Sequence, residues 1–473
     1  MNFNRNITIK TTVKKSLSDL YTPVGIYLRL RDQFRDTILL ESTGNHNPEN
    51  NFSFIAVNAI AGIEIKNYHE AEFKFPNETP LKVDLKPKSL TALLQSFANC
   101  FQAIPSPEPM AKNGQGFFGY TSYDAIPFFE NIQFKTSTED NKIPLLRYRF
   151  YQYVIAINHF NDEMYIIENH IEGVKSELHR IENIIQQKNV PIFPFETVGE
   201  ETSNLSDEDF KNLVEIARKH CFRGDVFQLV LSRRFQQNFK GDEFNVYRAL
   251  RNINPSPYLF FFDYGDYKLL GSSPESQLII KDGKAIIHPI AGTFRRTGNV
   301  EKDLQAAEAL KNDPKENAEH TMLVDLARND LSICGKNTKV SKFKEIHFFS
   351  HVIHMVSEVT AEVDTHQNPY EMIATTFPQG TLSGAPKYKA MELIDRYETT
   401  SRSFYGGCVG FVGFDGSCNQ AIMIRTFLSK DNTLYYQAGA GIVAKSTAEN
   451  ELQEVNNKLS ALKKAVKKAE GIA

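Results

Sequence analysis

Tryptophan is absent from the 473 residues, although phenylalanine numbers 35 and tyrosine 19. That absence has two readings, a coding bias or a protein needed most when tryptophan is scarce, and composition does not choose between them. Cysteine is sparse. The five (Cys100, Cys221, Cys334, Cys408, Cys418) are odd in number and show no CxxC spacing, which suits a reducing cytoplasm. No apolar run reaches the roughly 18 residues of a membrane span. The opening MNFNRNITIK lacks the apolar core of a signal peptide. Charge of one sign is not in excess: 54 basic residues face 57 acidic ones. That balance argues against the basic footprint of a nucleic-acid binder.

What is present is ordinary globular composition, 41% hydrophobic and 23% charged. The length suits two or three average domains or one large one. Residues 1–188 alternate short apolar runs with turns, including a hairpin signal at Asn161-Asp162 and a helical pattern in KSELHRIENIIQQK. Residues 189–205 carry prolines, a glycine and acidic residues and read as a linker. Residues 206–473 open on a capping box, Ser206 with Asp209, and continue in hairpins such as AIMIRTFLS-KDN-TLYYQAGAGIV. The expected class is α+β, with largely antiparallel sheets covered by helices.

Several polar residues stand where the pattern wants apolar ones. Asp313 caps a helix with Pro314 behind it, and Glu316 fits the capping position. Glu319 has no such excuse, because Met322, Leu323 and Leu326 place it inside the apolar stripe. A carboxylate facing a core must be paired, protonated or metal-bound. In the last helix Glu451, Glu454 and Lys458 flank the stripe of Leu452, Val455, Leu459 and Leu462. A Glu454–Lys458 pair on a solvated edge is the plain reading. Two helices each carrying Glu-x-x-Glu raise the other, four carboxylates around one hard cation. Oxygen-only ligands favour Mg²⁺, and the Glu-x-x-His pairs of di-iron sites are missing.

Arg425, on an expected strand shared with Ala421 and Met423, wants a carboxylate or phosphate partner. Gln228, His354 and Glu275 have plain readings too, as a core amide, a strand histidine and a loop carboxylate. The turns AGT (291–293), GTLSGAPK (380–387) and QAGAG (437–441) offer small residues and free backbone N–H groups, which let main chain approach an anion. None is a P-loop or GxGxxG. Together these features fit a small carboxylate-bearing ligand.

Ten ordered segments carry a resemblance: GDVFQLVLSRRF, GSSPE, HPIAGTFRR, DPKENAEHTMLVDLARNDL, HVIHMVSEV, FPQGTLSGAPK, YGGCVGF, IMIRTF, QAGAGIV and ENELQEVNNK. As a set the chain resembles the chorismate-utilising enzymes, and within them the large-subunit (component I) branch of the anthranilate synthases. The resemblance implies two packed antiparallel sheets flanked by helices, and a reaction of chorismate with ammonia to give anthranilate and pyruvate. It implies Mg²⁺ on Glu319 and Glu454, with Glu316 and Glu451 outside them. Arg425, Tyr405, Lys458 and the backbone at Gly439, Gly441, Gly292 and Thr293 would hold substrate, with Thr381 and Lys387 lining the same pocket. Glu275 is the position of the acid for the departing 4-hydroxyl, and His354 that of the base for the C2 proton. Gln228 stands where water-activating relatives carry Lys, and Ala291 where aminodeoxychorismate synthases carry a nucleophilic Lys. That family and a catalytically dead tryptophan-binding regulator are the alternatives. The regulator would have lost at least one of Glu275, Glu319, His354, Arg425 or Glu454, and all are present.

ILLES and NPSPYLFFF match the two segments of a tryptophan feedback pocket, giving Leu40, Glu41, Ser42, Asn254, Pro257, Tyr258 and Leu259, with Asn51 nearby. The family further implies a glutamine amidotransferase subunit as ammonia source, in a heterotetramer of two large and two small chains. No cysteine here sits in a nucleophile elbow.

Overall fold

The computed structural model describes residues 3–42, 51–86, 89–135, 142–348, 352–364 and 367–472, with the side chains of Thr293 and Arg295 outside that description. Two long strands, Phe52–Ile65 and Leu146–Asn158, pair along their whole length and belong to two sheets at once. At one end they are flanked by Thr37–Glu41 and Glu163–His170, and at the other by Glu70–Lys74 and Gly116–Thr121. From the first end a sheet continues through Tyr258–Asp263, Tyr267–Ser273, Thr426–Lys430, Thr433–Ile442 and Gln228–Gly241. From the other end a second sheet continues through Cys408–Gly413, Cys418–Ile422, Ser276–Lys281, Lys284–Ile287 and Val352–Glu362. Among the described residues the one parallel pairing is Ile7–Ile9 beside Phe101–Ala103. The architecture is therefore the expected α+β one, two largely antiparallel sheets with helices outside.

The sequence builds this because its strands are apolar on both faces. In YLFFF, Phe261 packs toward the helices while Phe260 and Phe262 pack toward the opposite sheet. Leu39, Leu270 and Phe427 point one way, and Ile38, Leu269 and Leu428 the other, as the two-residue period of a strand requires. An apolar layer that includes Phe118, Tyr120, Tyr151, Phe404 and Met423 fills the space between the sheets. Outside the first sheet lie the helices Asp207–Arg223, Phe244–Ile253, Lys387–Tyr397 and Ala448–Ala469. Outside the second lie Leu90–Ala98, Pro314–Cys334 and Pro369–Thr376. Helix ends follow local chemistry: Ser206 and Asp209 form the expected capping box, and Asp313 accepts from the N–H groups of Lys315 and Glu316.

Two expectations change. The stretch 189–205 is not simply a linker, because Phe195–Ser203 is an edge strand paired with Gln228–Gly241. Strands from before and after it also lie in the same sheets, since Thr37–Glu41 pairs with Tyr258–Asp263 and Gly116–Thr121 with Cys408–Gly413. The sequence IMIRTF is not one strand either. It ends in one sheet at Ile422 and restarts in the other at Thr426.

One buried ion pair ties the strand ends together. Arg402, 2% exposed, donates from Nε and Nη2 to both carboxylate oxygens of Glu398 at 2.9 and 2.7 Å. Its remaining N–H groups reach the carbonyls of Leu382 and Val230 at 2.6 and 2.8 Å, while Glu398 also accepts from Ser232 N and Oγ. Breaking such a pair from one side leaves an uncompensated buried charge. Arg402→Met is expected to cost about 3–5 kcal/mol of stability, read as a lowered urea midpoint. An unchanged midpoint would show that the pair does not hold these segments.

Candidate active site

Two adjacent strands change sheets at the same level. Tyr267–Ser273 and Thr426–Lys430 pair in the first sheet, while their continuations, Ser276–Lys281 and Cys418–Ile422, pair in the second. The turns between them are Pro274-Glu275 and Met423-Ile424-Arg425. They are stitched side by side: Ser272 N donates to Arg425 O at 3.1 Å and Ile422 N to Glu275 O at 3.0 Å. Arg425 takes a left-handed backbone, φ 50°, to make the turn. Its side chain therefore leaves a sheet crossing rather than alternating with Ala421 and Met423 as expected.

Glu275 is 8% exposed, and its Oε1 accepts from Thr381 Oγ1 at 3.3 Å. Burial pushes its carboxyl up to about 8, against the weaker opposing pull of Thr381 and Lys458. Arg425 donates to the Lys458 carbonyl at 2.8 Å, and among the described residues it has no acidic partner. Burial lowers its pKa, only partly offset by Tyr405. Tyr405 is buried, lies within electrostatic reach of Arg425 and hydrogen-bonds the Gly439 backbone. A Cβ at Gly439 would stand 2.7 Å from the Leu231 carbonyl and 3.1 Å from the Tyr405 hydroxyl, so the glycine is there for space.

The carboxylates come from two helices. Glu316 and Glu319 lie in the first two turns of Pro314–Cys334, and Glu451 and Glu454 in the first two of Ala448–Ala469. Burial first, and then one another's charge, raise the pKa values of Glu316, Glu319 and Glu451; Glu454 repels all three. Glu319 accepts from Gln228 Nε2 at 2.9 Å. Gln228 Oε1 and Glu451 Oε2 are buried and have no hydrogen-bond partner among the described residues. Lys458 Nζ bridges Glu454 at 2.7 Å and the Gly439 carbonyl at 2.8 Å. Gly441 makes room for this group: a Cβ there would lie 2.5 Å from Gln228 Nε2.

His354 sits on Val352–Glu362 opposite Thr293, and its Nδ1 lies 2.9 Å from the Gly292 carbonyl. Burial lowers its pKa, against the opposing pull of the Gly292 carbonyl and with Arg425 adding to the effect, which favours the neutral ring. The structure thus gathers Gln228, Glu275, Glu319, Thr381, Tyr405, Arg425, Gly439, Gly441, Glu454 and Lys458 around the sheet crossing, with His354 and Gly292 beside them. It does not bring Lys387 to them. That ammonium binds Asp330 at 2.7 Å, with the Thr375 carbonyl at 3.4 Å. Asp330 lies about 16 Å down the helix from Glu319. Sequence reasoning missed Ser446, a buried partner of Glu451, and the Glu398–Arg402 clamp, whose i,i+4 spacing looks like an exposed pair.

The residues expected in the tryptophan pocket lie on two neighbouring strands and in the segments beside them. Leu40 pairs with Phe260, and Glu41 with Leu259. Glu41 Oε2 accepts from Tyr247 and Arg251 at 2.6 and 2.8 Å, while its Oε1 and Asn51 Oδ1 are buried without partners among the described residues. Asn254 Nδ2 reaches Ser272 Oγ at 3.1 Å, Pro257 and Tyr258 are half-buried, and Ser42 follows Glu41 at the strand end.

The model of the chorismate binding enzyme family matches residues 46–464. Anthranilate synthase component 1 of Aquifex aeolicus is 34% identical, the match covering 99% of this chain and 96% of that one. The Acetivibrio thermocellus protein of the same name is 35% identical, over 96% and 94%. Among solved structures, anthranilate synthase component I from Streptococcus pneumoniae superposes with a TM-score of 0.73 at 30% identity, covering 95% of this chain and 99% of that one. The menaquinone-specific isochorismate synthase of Escherichia coli, at 18% identity and TM-score 0.74 over 98% and 95%, shares the fold. The chain belongs to the chorismate-binding enzymes, as an enzyme of the anthranilate synthase component 1 type.

Proposed function

We propose that the chain converts chorismate and ammonia to anthranilate and pyruvate by way of aminodeoxyisochorismate, the first step of tryptophan biosynthesis. The observation that carries this reading is the crossing itself. A carboxyl kept protonated by burial lies one strand away from a half-buried guanidinium with no acidic partner among the described residues. Arg425, with the Tyr405 hydroxyl beside it, is suited to a substrate carboxylate. Glu275 gives its proton to the departing 4-hydroxyl, which leaves as water while ammonia bonds to C2. His354, neutral, takes the C2 proton as the enolpyruvyl group leaves as pyruvate. Ala291 is buried and offers no amine, which supports this outcome over aminodeoxychorismate synthesis. Gln228 cannot deprotonate water as a lysine could, which favours ammonia over hydroxylation.

The four carboxylates fit Mg²⁺. All donors are oxygen, Glu451 Oε2 is orphaned, and their mutual repulsion calls for a cation. Among the described residues no three His, Cys, Asp or Glu side chains are gathered closely enough to hold a metal; Glu319 and Glu454 are the two that would hold it. Mg²⁺ would neutralise them and grip the ring carboxylate of the substrate. Ammonia would come from a glutaminase subunit, in a cytoplasmic heterotetramer of two large and two small chains. Among the described residues no helix is long and apolar enough to cross a membrane.

With chorismate, Mg²⁺ and an ammonium salt, the protein is expected to produce fluorescent anthranilate. A 4-aminobenzoate precursor instead would overturn the reading. Because Glu275 works protonated, kcat/KM should fall as pH rises through about 8, and Glu275→Gln should lose about 10²–10⁴-fold in rate. The folded carboxyl binds its proton more tightly than the unfolded one. Stability from this group is therefore full at low pH and lost between the ordinary carboxylate range and about 8. Glu275→Gln should accordingly be more stable than the parent at pH 8 in urea titration, and equal stability would refute the raised pKa.

MgCl₂ should raise the thermal midpoint, by about 2.7 kcal/mol of stabilisation at a hundredfold excess over Kd. Glu319→Ala and Glu454→Ala should abolish the rise. A parent protein indifferent to Mg²⁺ would remove the metal from the scheme.

Feedback inhibition by tryptophan is supported by the two juxtaposed strands and the orphaned acceptors Glu41 Oε1 and Asn51 Oδ1. The chain has no indole of its own, so the anisotropy of the ligand's emission reports binding directly. A saturable rise, with parallel loss of anthranilate production, is expected. A flat response through the millimolar range would dismiss the site.

A further inference from the structure

The segment from Lys284 to Arg295 runs antiparallel along Val352–Glu362, but not evenly. It breaks at His288-Pro289 and then slips register, so that Ala291 faces Met355 and Thr293 faces His354 with Gly292 as the extra residue. Gly292 has φ 73°. A glycine in the left-handed region at a one-residue slip is a bulge that turns its peptide away from the ladder. The carbonyl so turned lies 2.9 Å from Nδ1 of His354, the residue directly across from the next position.

A carbonyl oxygen can only accept, so the ring nitrogen facing it must carry a proton. We infer that the Gly292 carbonyl is a positioning group that holds the His354 proton on Nδ1 and makes Nε2 the basic nitrogen of the ring. The inference rests on the reading of His354 as the base in the proposed reaction, and assigns which nitrogen acts. A peptide carbonyl suits the task better than a carboxylate would. It fixes tautomer and ring orientation without a charge that would favour imidazolium. The bond to the carbonyl itself favours the protonated ring, but burial outweighs it, and the nearby Arg425 adds to the effect of burial.

The bulge is held to glycine chiefly by its left-handed backbone. A Cβ at Gly292 would lie 2.6 Å from Leu310 Cδ1 and 3.1 Å from Glu316 Oε2, on a backbone that already disfavours a side chain. Gly292→Ala therefore displaces the carbonyl rather than simply filling space.

The test uses the full chain labelled with ¹⁵N-histidine and long-range ¹H–¹⁵N correlation spectra, with the His354 signals identified by their loss in His354→Asn. A single tautomer with the proton on Nδ1 is expected. A proton on Nε2, or an average of both, overturns the inference whatever the activity. In Gly292→Ala the signals should move toward the average, and kcat should fall about 10–100-fold with KM for chorismate little changed. In the His354→Asn background Gly292→Ala should cost no further kcat, because both changes act through one ring. Additive losses would mean that the bulge serves something else. If Gly292→Ala fails to fold, the parent spectrum still decides. Full activity of His354→Asn would instead refute the role of His354, leaving the tautomer assignment to stand or fall on the spectrum.

Discussion

The structure depends on one constraint: two neighbouring strands must leave one sheet and enter another at the same level. A continuous strand presents side chains to its two faces, and here both faces are already occupied by core. Only where the chain lets go of one sheet can a side chain lie in the plane between them. Glu275 and Arg425 are those residues, and each turn hydrogen-bonds the other's strand. A fold without the crossing would have to bury both groups in an apolar layer, at several kcal/mol each.

The crossing explains why charges that seek each other elsewhere are kept apart here. Glu275 and Arg425 would be opposite in sign if both were ionised, and their turns lie side by side, yet each is bonded to something neutral: a threonine hydroxyl and a peptide carbonyl. An ion pair between them would stabilise the protein and disable both groups. The same holds at the carboxylates, where Gln228 rather than a cation meets Glu319. Lys458 is the exception, paired with Glu454, but it is half-exposed and anchored to the Gly439 carbonyl as well. Stability forgone at such positions is a common mark of a site that awaits a ligand.

Much of this was legible in the sequence, for a definite physical reason. Glu319 betrayed itself because a helix repeats every 3.6 residues and a carboxylate among Met322, Leu323 and Leu326 needs a partner off the helix. The hairpin at Asp431-Asn432, both residues left-handed, followed from turn chemistry alone. What stayed hidden is long-range. The sequence IMIRTF carries no sign that Ile422 and Thr426 pair in different sheets, because period-2 patterning is the same in either. The stretch 189–205 looked like a linker since an edge strand with one exposed face needs few apolar residues; Glu200 and Glu201 sit within it. Lys387 looked available because its partner, Asp330, reads as an ordinary helix residue far away in sequence.

The glycines of the site separate two physical demands that a sequence motif merges. Gly439 and Gly441 lie in a strand without a left-handed backbone and are small because the Leu231 carbonyl and Tyr405 hydroxyl crowd the place of one Cβ and the Gln228 amide that of the other. Gly292 is required twice, by its left-handed backbone and by Leu310 and Glu316 against its missing side chain. The first kind of glycine shapes a cavity by subtraction, so an alanine there pushes on its neighbours. The second kind sets the direction of a peptide group, so an alanine there re-aims a hydrogen bond. AGT and QAGAG look alike as strings of small residues. They differ in that QAGAG removes atoms from the pocket whereas AGT supplies one, the Gly292 oxygen that faces His354.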